Sequence, residues 1–176
     1  LIQSCSFTSS SLWYPNAGTR SVTHVALYDV RGGSSATAGV DIILSATSPH
    51  STFNNADYGI SCLDDQNINL QFLDFTNCGK GVSSARAFTT LNTGSVISNL
   101  TFNGCYTSIN MANSKGDIVS NNFFNSNNAS QNTNFYGIYT DGSSDFHITD
   151  NTFKRIMYGI YCNNSGSVGG RISSNS

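Results

Sequence analysis

The sequence predicts an all-β fold, a single-stranded right-handed parallel β-helix solenoid of about 7–8 coils with ~22–24 residues each. Three observations lead there. Residues 136–176 repeat themselves: Tyr136-Gly137-Ile138-Tyr139 returns 22 residues later as Tyr158-Gly159-Ile160-Tyr161. Phe146-His147-Ile148-Thr149-Asp150-Asn151 returns after 24 as Gly170-Arg171-Ile172-Ser173-Ser174-Asn175. The second observation is vocabulary. There is no Glu, Lys is nearly absent, and Ile, Val, Phe, Tyr and Thr are interleaved with Asn, Asp, Gly and Ser. That mixture suits short strands and turns and lacks the usual helix formers. The third is a parity of side-chain character that holds from copy to copy. The hand follows from the right-handed crossover preference of parallel strands.

Two anchors define the coils. The first is an apolar residue followed five positions later by Phe or an equivalent. It occurs at Ile2/Phe7, Val25/Val30, Leu70/Phe75, Ile97/Phe102, Ile118/Phe123 and Ile148/Phe153, with Ile172 opening the last copy. A degenerate copy is expected near residues 48–53, because the gap from Val25 to Leu70 spans two periods. The second anchor is a small residue followed by an apolar one: Gly39-Val40, Gly59-Ile60, Gly81-Val82, Ser108-Ile109, Gly137-Ile138 and Gly159-Ile160. Strand side chains alternate with period two, so the first and third residues after the small one share a face. Val40, Ile60, Val82, Ile109, Ile138 and Ile160 therefore point inward, as do Ile42, Cys62, Ser84, Met111, Thr140 and Cys162. Between them Asp41, Ser61, Ser83, Asn110, Tyr139 and Tyr161 point outward. Asn121, Asn151 and Asn175 each fall three residues after the first anchor, which predicts a ladder of turn amides along the axis.

Composition excludes several classes of function. A net charge of −2, with 10% charged residues and no Lys/Arg cluster, is unsuited to a phosphate backbone, so no nucleic acid partner is expected. No apolar run approaches the ~18–20 residues of a membrane-spanning helix, and no membrane partner is expected. Residues 1–176 read as one β-helix domain that starts and ends within a repeat. The expectation is an excerpt of a longer chain, its solenoid ends continued by more coils or covered by partner subunits. Of five cysteines, Cys78 and Cys105 each follow an anchor Phe by three and should stack on adjacent rungs, either as buried thiols or bridged. Cys62 and Cys162 lie too many coils apart to pair. No Cys/His cluster has zinc spacing, so no metal and no cofactor are expected.

The recurrent G-I-x-x, then φ-x-x-N-x-F, resembles the parallel β-helix repeat of the pectate-lyase-like superfamily, which includes polysaccharide lyases, polygalacturonases, alginate epimerases and phage tailspikes. The resemblance covers nearly the whole chain and implies a glycan as partner. It does not carry catalytic residues with it. Polygalacturonases show N-T-D, G-D-D, G-H-G and R-I-K in that order. Here Tyr139-Thr140-Asp141-Gly142, Cys62-Leu63-Asp64-Asp65 and Arg171-Ile172-Ser173 are the nearest approaches, and G-H-G is missing. No acid cluster matches the calcium site of pectate lyases, and Tyr158-Gly159-Ile160-Tyr161 stops two residues into the epimerase motif. Tailspikes place acids on one face, or between subunits, without a fixed motif.

Candidate site residues are therefore read from outward positions. Tyr139 and Tyr161 should stand on neighbouring rungs, with Asp141 and Asn163 two residues further along. Aromatic faces beside hydrogen-bonding groups are what a sugar ring requires, and good cross-strand packing is the plainer use of the same pair. A second outward column is expected at Asp117, His147 and Arg171, with Lys115 on Asp145. A His beside a carboxylate could act as a base and Arg could hold an anionic sugar, while a surface charge ladder is the plainer use. Asp64 and Asp65 form a third candidate, for glycoside cleavage, with Arg86 one coil on as a salt-bridge partner. Residues 125–134 lengthen one coil with a polar insertion, the position where specificity loops sit.

Three functions fit these features. The first is a tailspike-like protein, extracellular, cell-surface or virion-borne, that recognises a polysaccharide with or without cleaving it; by resemblance it would be a homotrimer. The second is a secreted polysaccharide lyase or hydrolase. The third is a non-catalytic shaft or adhesin stalk.

Overall fold

The computed structural model describes residues 6–8, 23–28, 41–42, 50–63, 68–85, 94–126, 135–163 and 169–176. Every named element in them is a strand, and the strands come in triplets. The first turn holds β1 (Ser6–Thr8), β2 (Thr23–Tyr28) and β3 (Asp41–Ile42). Next come β4 (Ser51–Asn54), β5 (Tyr58–Leu63) and β6 (Asn69–Gln71), then β7 (Leu73–Thr76), β8 (Lys80–Ala85) and β9 (Val96–Ser98). The fourth turn holds β10 (Thr101–Asn103), β11 (Thr107–Ala112) and β12 (Ile118–Ser120), and the fifth β13 (Phe123–Asn125), β14 (Tyr136–Asp141) and β15 (His147–Thr149). The last is β16 (Thr152–Lys154), β17 (Tyr158–Asn163) and β18 (Arg171–Ser173). Each strand pairs in parallel with its counterparts one turn away, giving three sheets of six strands. This is a parallel β-helix, with each turn satisfying its backbone groups on the turns above and below.

The core is a set of stacked columns. On the first sheet Phe7, Phe53, Phe75, Phe102, Phe124 and Phe153 stack with centroids 4.8–5.1 Å apart and ring planes within 14°. The second sheet contributes Ile60, Val82, Ile109, Ile138 and Ile160, and the third Leu70, Ile97, Val119 and Ile148. The Phe column explains the small residue of the second anchor. A Cβ at Gly81 would lie 2.5 Å from Phe102 Cε1 and 2.7 Å from the Ser108 carbonyl oxygen; Gly59 meets Phe75, and Gly137 meets Phe153, in the same way. Burying one such Phe is worth roughly 1.5–3 kcal/mol.

Asn is abundant because the corners require it. The residue between the third and first sheets has a left-handed backbone at Phe72, Asn99, Asn121, Asp150 and Ser174, with φ of 53° to 57°. Asn and Asp tolerate that region, so they dominate the column. The next residue points inward, and at Asn122, Asn151 and Asn175 its amide caps the backbone of the neighbouring turn.

Three sequence expectations are corrected here. In the fourth and fifth turns the true inward residues are Val119, Asn122 and Phe124, one position beyond the expected Ile118, Asn121 and Phe123. Ile118 and Phe123 face solvent, 42% and 37% exposed. The segment Ile118-Val119-Ser120-Asn121-Asn122-Phe123-Phe124 doubles its apolar and Asn residues, so hydrophobicity alone allows either register. The amide ladder forms only with Asn122 inside. Next, Asp41 and Ile42, expected on the second sheet, pair with Asn69 and Leu70 on the third, while Val25 aligns with Ile60 on the second; Gly39 and Val40 lie outside the described residues. A small–apolar dipeptide is too short to tell one sheet from another. Finally, β1 pairs directly with β4, putting Phe7 on Phe53. Phe7 and Phe53 are therefore one turn apart, where two turns were expected.

Candidate functional site

The outward surface of the second sheet changes character along the axis. Its middle column runs Ser61, Ser83, Asn110, Tyr139, Tyr161, and its leading column Tyr58, Lys80, Thr107, Tyr136, Tyr158, with Ser83 and Thr107 buried. Tyrosine occupies both columns in β14 and β17, so four rings converge on two turns. Tyr136 and Tyr158 stack with centroids 5.1 Å apart at 15°, and Tyr139 and Tyr161 with centroids 5.6 Å apart at 9°. The two columns meet edge to face, at 5.5 to 5.7 Å and 70° to 78°. Tyr106 extends the cluster one turn back, 6.4 Å from Tyr136. Such pairs contribute about 0.5–1.5 kcal/mol each beyond their buried area.

The polar flank is formed by the trailing column. Asp141 and Asn163 align across the two turns. Asn163 Nδ2 donates to Asp141 Oδ1 at 3.3 Å and to the Tyr139 hydroxyl at 3.4 Å. Tyr161 is 39% exposed, while Tyr106, Tyr136, Tyr139 and Tyr158 are half-buried. Tyr136 sits at the centre. Desolvation first, and then its neighbours Tyr106, Tyr158, Tyr161 and Tyr139, raise its phenol above the ordinary value of 10.0. The sequence-predicted residues Tyr139, Tyr161, Asp141 and Asn163 are thus brought together. One feature differs from expectation: the stacked rings cover each other's facing sides, so hydroxyls and ring edges make up much of the presented surface.

Tyr136 and Tyr158 escaped the sequence reading for a definite reason. Strict alternation puts residues three apart on opposite faces, which separates Tyr136 from Tyr139. At the corner opening β14, Gly137 and Ile138 are both buried, and Gly137 has no partner in the ladder. The alternation skips a step there and returns Tyr136 to the outer face. Residues 127–134 lie outside the described residues, but the segment ends at Phe135, whose ring is 6.0 Å from Tyr106.

The column expected at Asp117, His147 and Arg171 is not formed. His147 pairs with Arg171 on one side and with Ile118, not Asp117, on the other. Asp117 is 0% exposed, and its Oδ1 accepts the Ser95 N–H at 2.8 Å. The one-residue slip that turned Ile118 outward turned Asp117 inward, into a structural role. Lys115 and Asp145 do form an exposed ion pair at 3.6 Å. Asp64, Asp65 and Arg86 lie outside the described residues.

A titratable pair that the sequence did not single out is His50 with Asp74, where Nδ1 donates to Oδ1 at 2.9 Å beside the Phe72 ring. The arrangement orients the imidazole. Its partners are 24 residues apart, joined only by the register of β4 on β7, so no local motif announces it. Among the described residues no group of three His, Cys, Asp or Glu could hold a metal ion. Cys78 and Cys105 are unbridged and buried, Cys62 is a buried thiol, and the Cys162 thiol is exposed.

A family profile described as a right-handed beta helix region matches residues 39–176. No curated protein and no solved structure matches the chain. The profile spans most of the sequence and agrees with the three parallel sheets, and the chain belongs to the right-handed β-helix family.

Proposed function

We propose that the protein recognises a polysaccharide through the tyrosine face of its second sheet, in the manner of an extracellular, cell-surface or virion-borne tailspike-like module. The observation that carries this reading is the convergence of Tyr136, Tyr139, Tyr158 and Tyr161 with Asp141 and Asn163 on two adjacent turns. Phenol hydroxyls, an amide and a carboxylate offer donors and acceptors to sugar hydroxyls, and the ring edges offer apolar contact. Binding rather than cleavage is the core of the reading. Of the acids considered for catalysis, Asp117 is enclosed in the core.

The test is a titration with a panel of neutral and acidic polysaccharides, followed by tyrosine fluorescence and by gel analysis of polymer length. Saturable binding that is lost in Tyr161→Ala and weakened in Asn163→Ala supports recognition. Shortening of the polymer adds an enzymatic activity, of lyase or hydrolase type. Sedimentation of the same samples tests the trimer that a tailspike-like module would form.

A structural shaft is the second reading, and one observation favours it. The tyrosines spend their facing surfaces on each other, which ties β14 to β17 whether or not a ligand arrives. Binding to no member of the panel, together with a loss of stability in Tyr136→Ala, would support the shaft.

A further inference from the structure

Tyrosine side chains couple oxidatively when two rings lie close enough for their ortho carbons to meet and an oxidant can reach one of them. Parallel in-register strands align each ring atom with its counterpart one rung away. Tyr139 and Tyr161 stack on adjacent rungs in this way, with centroids 5.6 Å apart and ring planes 9° apart. Tyr161 is the exposed member of the cluster, so oxidation begins there. Asn163 hydrogen-bonds both the Tyr139 hydroxyl and Asp141, which holds the Tyr139 phenol against the turn that carries Tyr161. The other stacked pair, Tyr136 with Tyr158, is half-buried at both rings. Tyr136 also holds its proton more firmly than usual because its neighbours desolvate it.

We propose that Tyr139 and Tyr161 are a modification site, at which hydrogen peroxide and a one-electron oxidant of the haem-peroxidase class form an intramolecular dityrosine bond between β14 and β17. Each phenol loses one electron and its hydroxyl proton. The two radicals join through a Cε–Cε bond, and the hydrogen on each joined carbon moves to the phenol oxygen to restore aromaticity. Two tyrosines and one hydrogen peroxide give one dityrosine and two waters. The product ties two successive turns covalently, as a disulfide would, at the position where the ring stack already joins them. This inference does not depend on a glycan ligand.

The experiment treats the intact protein, at low concentration, with a haem peroxidase and hydrogen peroxide and then digests it with trypsin. Lys154 and Arg155 lie between the two rings, so Tyr139 and Tyr161 fall in separate tryptic peptides, 116–154 and 156–171. The expected product is these two peptides joined, with the loss of two hydrogens and with dityrosine fluorescence, from a protein still monomeric in chain length. Tyr139→Phe and Tyr161→Phe keep the ring stack, and circular dichroism checks their fold; both lose the joined peptide. Tyr136→Phe and Tyr158→Phe retain it. The proposal is overturned if the joined peptide persists in Tyr161→Phe. It is equally overturned if coupling occurs only between molecules, or if none occurs while free tyrosine in the same tube couples.

Discussion

Asn122 gives both its backbone N–H and its side-chain amide to the same oxygen, Asn151 Oδ1, at 3.1 and 3.0 Å. Asn151 does the same to Asn175 Oδ1, at 3.0 Å each. The Asn151 amide also serves the Val119 and Thr149 carbonyls, at 3.0 and 2.9 Å. Replacing Asn151 by Ala strands several buried groups at once, each costing about 1–3 kcal/mol. Asn151→Ala should destabilise the protein by on the order of 3 kcal/mol. Urea denaturation followed by circular dichroism measures it, and a loss below about 1 kcal/mol would show that water replaces the ladder.

The Phe column makes a second prediction. Phe102 is fully buried between Phe75 and Phe124, 5.0 and 5.1 Å away. Phe102→Ala should cost about 3–5 kcal/mol. Gly81→Val acts on the same contact from the other side, since its Cβ would meet both the ring and the Ser108 backbone, and overpacking of this kind costs about 1–3 kcal/mol. Combining the two should cost less than their sum, because the cavity left by Phe102 accepts the valine.

Asp117 and His147 separate a structural role from a surface one. Asp117→Ala should lower stability by about 1–3 kcal/mol, since it leaves the buried Ser95 N–H without its side-chain acceptor. His147→Ala, at an exposed position, should stay within about 0.5 kcal/mol of the parent. Equal effects from the two substitutions would contradict the register found here.

Tyr136 predicts an alkaline limit. Its phenol is raised in the folded state, so the native fold favours the protonated form. That stabilisation is fully present below the unfolded value near 10 and is lost as pH rises through the folded value. Denaturation midpoints measured from pH 9 upward should fall more steeply for the parent than for Tyr136→Phe. Identical slopes would place the desolvation elsewhere.

Thiol labelling reports the burial of the cysteine column. Iodoacetamide should modify Cys162 readily in the native protein and reach Cys62, Cys78 and Cys105 only on unfolding. Burial, and then the adjoining Cys78, push the Cys105 thiol well up, while a hydrogen bond with Cys105 lowers Cys78.

The sequence by itself determined the architecture. Period, strand vocabulary and corner Asn residues are local properties, and each recurs often enough that an error in one copy is corrected by the others. It also placed Tyr139, Tyr161, Asp141 and Asn163 together, because they share one offset within an unbroken strand. Tertiary structure decided what local pattern leaves degenerate. Where apolar residues are doubled, as at Ile118-Val119 and Phe123-Phe124, only the Asn122 ladder and the fit of Phe124 between Phe102 and Phe153 select the register, and with it the burial of Asp117. Where the alternation skips at Gly137, only the packing of that glycine against Phe153 reveals that Tyr136 joins the outer face. And His50 meets Asp74 across a whole turn, through backbone pairing that no short window of sequence contains.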